Sequence, residues 1–156
     1  MESNKKIRVI GFGNILLYDE GIGIFIIEEL KRFKSLKGVE FIDGGTNSLD
    51  LTFFIGDAKK AIIIDAVTGE GEIGDIYRIE LNKLEGFYQR FFSLHEINWY
   101  DMLILNKTIL ENNVLKELIF YGIEIKNNIK YKIGLSQKLE KCIPKILNLI
   151  LNELKG

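Results

Sequence analysis

Short apolar runs alternating with amphipathic stretches predict a three-layer α/β domain built on a largely parallel sheet. Three observations carry this expectation. An apolar run climbs to the turn Gly11-Phe12-Gly13-Asn14, and an amphipathic segment follows that opens with two adjacent acids, Asp19 and Glu20. A second run, Ala61 to Ile64, is apolar at every position and ends on Asp65. Glycine-and-acid turns at Asp43 to Gly45 and Gly69 to Gly74 punctuate the pattern between elements.

Arg8 to Gly11 reads as a buried first strand, with glycines letting the backbone turn tightly at its end. Glu20 to Phe33 sets Ile24, Ile27 and Leu30 at helical spacing, which predicts the first helix. Val39 to Ile42 is a second strand stopped by Asp43-Gly44-Gly45, and Asn47 to Ile55 a short helix capped by Asn47 or Ser48. The third strand, Ala61 to Ile64, is apolar throughout, as a strand covered on both faces should be. In Asp75 to Leu81, Ile76, Arg78 and Glu80 alternate with Tyr77, Ile79 and Leu81, which predicts a strand with one wet face. Ile97 to Leu110 reads as a helix, Glu117 to Glu124 as a strand and Ser136 to Leu154 as a closing helix, in which Pro144 predicts a kink or a break. The first strand is expected at the centre of the sheet.

The chain has 156 residues, 47% hydrophobic and 28% charged, which suits one domain spanning 1–156 with a single sizeable core. A net charge of −1 provides no field to attract nucleic acid. The single cysteine, Cys142, excludes an internal disulfide, fits a reducing compartment and reads as helix packing. The N-terminal apolar run ends at Gly11, too short for a signal segment, and Asn148 breaks the richest apolar stretch, Ile143 to Leu151. A cytoplasmic protein with no membrane segment is expected.

In doubly wound sheets, chemistry gathers at the carboxyl ends of the strands, where Glu20, Asp43 and Asp65 fall. Each also has an ordinary reading. Glu20 complements a helix dipole, Asp65 terminates a strand, and Asp43 serves a turn. His95 is the only histidine, and a lone histidine is more often packing or surface than a ligand. Convergence of Glu20, Asp65 and His95 would offer two oxygens and one nitrogen to zinc, nickel, manganese or iron, with positions left open. No HExxH pattern is present. Ser93 and Ser136 lack a second histidine to activate them, and the aromatics Phe87, Tyr88, Phe91 and Phe92 read as core or loop anchors.

A nucleotide site is the competing idea. Gly11 and Gly13 match the first two glycines of a dinucleotide fingerprint, and Asp43 sits where a ribose-binding acid would. However, Leu16 occupies the third glycine position, the turn is too long, and Asp19-Glu20 would repel a pyrophosphate. A noncatalytic nucleotide- or metal-binding Rossmann-like module therefore stands as the alternative to an enzyme.

GFGNILLYDEGIG, DGGTNSLDL at Asp43 to Leu51, IIIDAV at Ile62 to Val67 and SLHE at Ser93 to Glu96 occur in that order. YGIEIK and IGLS give a weaker echo at Tyr121 to Lys126 and Ile133 to Ser136. In this combination the chain resembles the nickel–iron hydrogenase maturation endopeptidases. The resemblance implies a five-stranded α/β sandwich and a hydrolase, of aspartyl or metal-dependent type, that trims the C-terminal extension of a nickel-loaded hydrogenase large-subunit precursor. It implies metal ligation by Glu20, Asp65 and His95, with Asp43 a further catalytic candidate that positions or deprotonates water. The nickel would come with the substrate and act as a recognition tag, and the free protein would take other divalent ions. One departure is Ile125, where many relatives carry proline.

Overall fold

Five segments pair into one sheet: β1 (Ile7–Phe12), β2 (Val39–Gly45), β3 (Lys60–Val67), β4 (Ile76–Glu80) and β5 (Glu117–Glu124), in the order β2-β1-β3-β5-β4. This is a computed structural model, and it describes residues 6–33, 36–80, 83, 115–126 and 130–155. The helix expected at Ile97 to Leu110, the aromatic stretch before it and His95 lie outside those residues. β2, β1, β3 and β5 run parallel, and β4 closes one edge antiparallel to β5. The central strand is β3, not the expected β1. Every residue of β3 from Ala61 to Val67 is buried, whereas β1 lies beside the edge strand β2, whose residues are mostly half-buried or exposed. A strand buried on both faces thus takes the position covered on both sides.

The sheet's alternation sorts side chains into two cores. Val9, Ile62, Ile64, Ile119, Tyr121 and Ile123 face α1 (Ile22–Leu30) and α3 (Gln137–Lys155). Ile10, Phe12, Ile63, Leu118 and Phe120 face α2 (Leu51–Ile55). That is the expected three-layer arrangement. Among the described residues no helix is long and apolar enough to cross a membrane.

Several boundaries moved for physical reasons. The expected first helix starts as a 3₁₀ turn, Tyr18–Gly21, and becomes α-helical only at Ile22. The second likewise splits into a 3₁₀ turn, Ser48–Asp50, and α2, and Asn47 makes no side-chain capping bond. β2 runs on through Asp43 to Gly45, because Gly11 of β1 still pairs with Asp43. Asp65 lies inside β3 and does not terminate it. Pro144 does not end α3, which continues through it to Lys155. Cys142 packs against the α1/α3 core and donates its Sγ hydrogen to the Lys138 carbonyl at 3.3 Å.

Two glycines let α1 approach the sheet backbone to backbone. A Cβ on Gly23 would stand 2.7 Å from the Ile64 carbonyl oxygen and nearer still to that of Phe12. A Cβ on Gly11 would collide with the Gly23 carbonyl and come within 2.5 Å of Ile27 Cγ1.

At the opposite, amino end of the parallel strands, Glu153 of α3 ties three strands together. It accepts hydrogen bonds from Arg78 of β4, from the Tyr121 hydroxyl of β5 at 2.8 Å and from Lys60 of β3 at 3.2 Å. Burial by itself would raise this carboxyl, but the bonds from Arg78, Tyr121 and Lys60 prevail and hold it at about 2.

Two expectations follow from this packing. Gly23→Ala forces an unyielding backbone contact and should cost about 1–3 kcal/mol in urea unfolding, with a matching fall in melting temperature. Glu153→Gln should cost about 1–3 kcal/mol at neutral pH. A carboxyl depressed in the fold contributes stability above its unfolded value of 4.5, lost as pH falls toward about 2. The variant's deficit should therefore shrink across that window, which denaturation at neutral pH and at about pH 3 would reveal.

Candidate active site at the carboxyl ends of the strands

From β1 the chain passes through α1 on one face to β2, then returns through α2 on the other face to β3. The connections reverse direction between β1 and β3, so a crevice is expected outside the carboxyl ends of these two strands. The segment after β1 and the end of β3 carry Glu20 and Asp65, one on each side of that reversal.

The path from β1 to Glu20 is held by the backbone. Gly13 donates its N–H to the Gly45 carbonyl at 2.9 Å, and Leu16 N–H bonds Asn14 Oδ1 at 3.0 Å. Tyr18 then adopts a left-handed conformation, φ 53°, uncommon for a residue with a side chain. Its N–H donates to Lys132 O at 2.9 Å, while Lys132 N–H donates to Leu16 O at 3.0 Å. The Lys130 and Lys132 ammonium groups stand 5.5 and 5.6 Å from the Tyr18 ring centroid.

Asp19 and Glu20, read as one acidic pair, separate in the fold. Asp19 turns to Ser136, which donates its N–H to Oδ1 at 2.7 Å and its hydroxyl to Oδ2 at 2.8 Å. Ser136 Oγ accepts the Leu139 N–H at 3.3 Å, so the same serine caps α3. Glu20 is buried at 6% exposure in the turn that lies against β3. Burial raises its carboxyl above the ordinary value, because the ionised form is deprived of water. A nearby cation would offset that cost. This acidic 3₁₀ turn, inserted between the glycine turn and α1, is the opposite of a pyrophosphate cradle.

Asp65 is 2% exposed, and its Oδ1 accepts the Ala66 N–H at 2.8 Å. Asp43 is exposed, with Oδ1 accepting the Gly45 N–H at 2.8 Å. Asp43, Gly11 and Ile64 are register partners across three strands and share the α1 face. Asp65, one residue on from Ile64, leaves its strand on the other face. The structure therefore gathers Glu20, Asp43 and Asp65 at one end of the sheet, with only Glu20 and Asp65 buried. Among the described residues no three acids, histidines or cysteines form a metal-holding group.

Glu124, a buried carboxylate outside the sequence-derived set, stands at the end of β5. It is 1% exposed, and it accepts the Gly69 and Gly71 N–H groups and the Tyr77 hydroxyl at 2.5, 3.0 and 2.9 Å. Its signal was available, since it ends an apolar strand, but its work is to pin the loop between β3 and β4.

A family model described as hydrogenase maturation protease matches residues 24–153. A putative hydrogenase maturation protease of Methanocaldococcus jannaschii is 29% identical, covering 97% of this chain and 97% of its own. The hydrogenase 2 maturation protease of Escherichia coli is 29% identical over 96% of this chain and 91% of its own. In three dimensions the chain is similar to the hydrogenase maturating endopeptidase HybD from Escherichia coli, with a TM-score of 0.81 at 28% identity over 96% of this chain and 92% of that one.

Glu124→Ala removes the shared acceptor of the Gly69 and Gly71 amides and of the Tyr77 hydroxyl and should cost about 1–3 kcal/mol. Faster amide hydrogen exchange confined to the Gly69 to Gly74 loop would confirm the anchoring role, and unchanged protection there would refute it.

Proposed function

The chain belongs to the hydrogenase maturation protease family and is an endopeptidase, and on that premise we propose that it removes the C-terminal extension of a nickel-loaded nickel–iron hydrogenase large-subunit precursor, recognising the nickel itself. The observation that carries the reading is the placement of two buried carboxylates, Glu20 and Asp65, beside the reversal point of the sheet. Two buried carboxylates suit a divalent cation and are poorly matched to an anionic ligand.

In this reading Glu20, Asp65 and His95 grip a metal that the precursor already holds. Two oxygens and one imidazole nitrogen, with no thiolate, leave coordination positions open and bind a free ion only modestly. Such a set is better suited to sharing an ion than to retaining one, which is why the nickel belongs to the substrate. Free protein would take zinc, cadmium or nickel weakly, with binding lost as pH falls through the histidine range and the imidazole protonates. Hydrolysis further needs a water held against the scissile carbonyl and a proton for the departing amine. Asp43, at the same end of the sheet and open to solvent, is the carboxylate proposed to position or deprotonate that water.

Purified protein incubated with nickel-loaded and nickel-free precursor, with products weighed by mass spectrometry, tests the proposal. Only loaded precursor should be trimmed; equal trimming of both would overturn nickel recognition. Glu20→Gln should weaken recognition of loaded precursor, and His95→Ala, which removes the only nitrogen ligand, should halt processing. Asp43→Asn should lose turnover while still binding precursor, which separates a role with water from a role in recognition.

A further inference from the structure

We propose that Asp19 and Ser136 are positioning residues for Glu20: their carboxylate–serine clamp sets the direction in which Glu20 presents its side chain. This rests on the reading of Glu20 as a metal-gripping residue and extends it to a pair of side chains that act through Glu20.

The geometry begins with the 3₁₀ turn Tyr18–Gly21. At three residues per turn, successive side chains diverge by about 120°, so fixing one of them aims the next. Asp19 is fixed at both oxygens, by the Ser136 N–H at 2.7 Å and the Ser136 hydroxyl at 2.8 Å, and it is 8% exposed. An ionised carboxylate is acceptor-only and so matches two donors, each bond being stronger than its neutral counterpart. Ser136 cannot drift, because its Oγ also receives the Leu139 N–H and its carbonyl the Glu140 N–H at 2.9 Å, both from the first turn of α3.

The rest of the turn is braced to match. The Tyr18 N–H reaches Lys132 O at 2.9 Å, so the left-handed residue before Asp19 is tied to the segment leading into Ser136. On the other side, Gly13 comes so close to the Glu20 carbonyl that a Cβ there would collide with it. Glu20 is thus suspended between the entry to α3, over a hundred residues away in sequence, and the glycine turn after β1. Its direction is a property of that clamp and not of the turn alone.

The test compares cleavage kinetics on nickel-loaded precursor for wild type, Ser136→Ala, Ser136→Thr, Asp19→Asn, Glu20→Gln and Glu153→Gln, at a temperature where circular dichroism shows each variant folded. Ser136→Ala and Asp19→Asn should raise KM by about ten-fold or more. Ser136→Thr retains the hydroxyl and should restore wild-type KM. Glu153→Gln loosens α3 at the far end of the sheet and should leave KM unchanged, which a purely structural role for Ser136 would not predict. If Asp19→Asn fails to fold, Ser136→Ala alone decides. Wild-type KM in folded Ser136→Ala, with Glu20→Gln impaired, would overturn the positioning role and leave the metal reading intact. Equal rises in Ser136→Ala and Glu153→Gln would also overturn it. Unimpaired Glu20→Gln would remove the metal reading, and the positioning role with it.

Discussion

The close approach of α1 to the sheet is the constraint on which the rest of this structure depends. Gly11 and Gly23 remove the two Cβ atoms that would hold the helix off, and the start of α1 settles onto the carbonyls of Phe12 and Ile64. Interiors are packed too densely to absorb an added methyl group at such a point without a shift. Because α1 sits this low, the chain between β1 and α1 folds back over the carboxyl ends of the strands. That brings the turn containing Glu20 against β3, the strand that carries Asp65.

Among the described residues four buried carboxylates lie toward this end, and their surroundings sort them. Asp19 accepts two bonds from Ser136, and Glu124 accepts three from Gly69, Gly71 and Tyr77. Both carboxylates are met by fixed donors at each oxygen, as structural buried charges should be. Glu20 differs in that burial dominates its environment and raises its carboxyl. Asp65 differs in lying within the central strand, where its Oδ1 is held by the N–H of the next residue. A buried acid that costs the fold something when ionised is the kind on which function is expected to act.

The two ends of the sheet divide the labour. At the amino end, Glu153, Arg78, Tyr121 and Lys60 bind α3 to three strands in a charge network with little solvent access at Glu153. At the carboxyl end, α3 begins at Ser136, where the capping serine also holds Asp19. One helix therefore serves as a stability element at its last turns and as a support for the candidate site at its first.

The architecture was legible in the sequence because it follows from periodicity. The apolar run of β3, the helical spacing of Ile24, Ile27 and Leu30, and the strand at Glu117–Glu124 each report a local rule of burial. The acids at strand ends were legible too, since a charge closing an apolar run is conspicuous. Strand order was not: β3, and not β1, is central, because position in a sheet depends on which faces other elements cover. Nor did residue pattern separate Asp19 from Glu20, which only the family resemblance told apart. They are neighbours of the same chemical type, and only Ser136, brought to Asp19 by the closing helix, makes Asp19 a clamp, while the turn that carries Glu20 lies against β3. Local pattern determines what a segment forms, while the partners that decide a side chain's duty come from distant parts of the chain and exist only once it has folded.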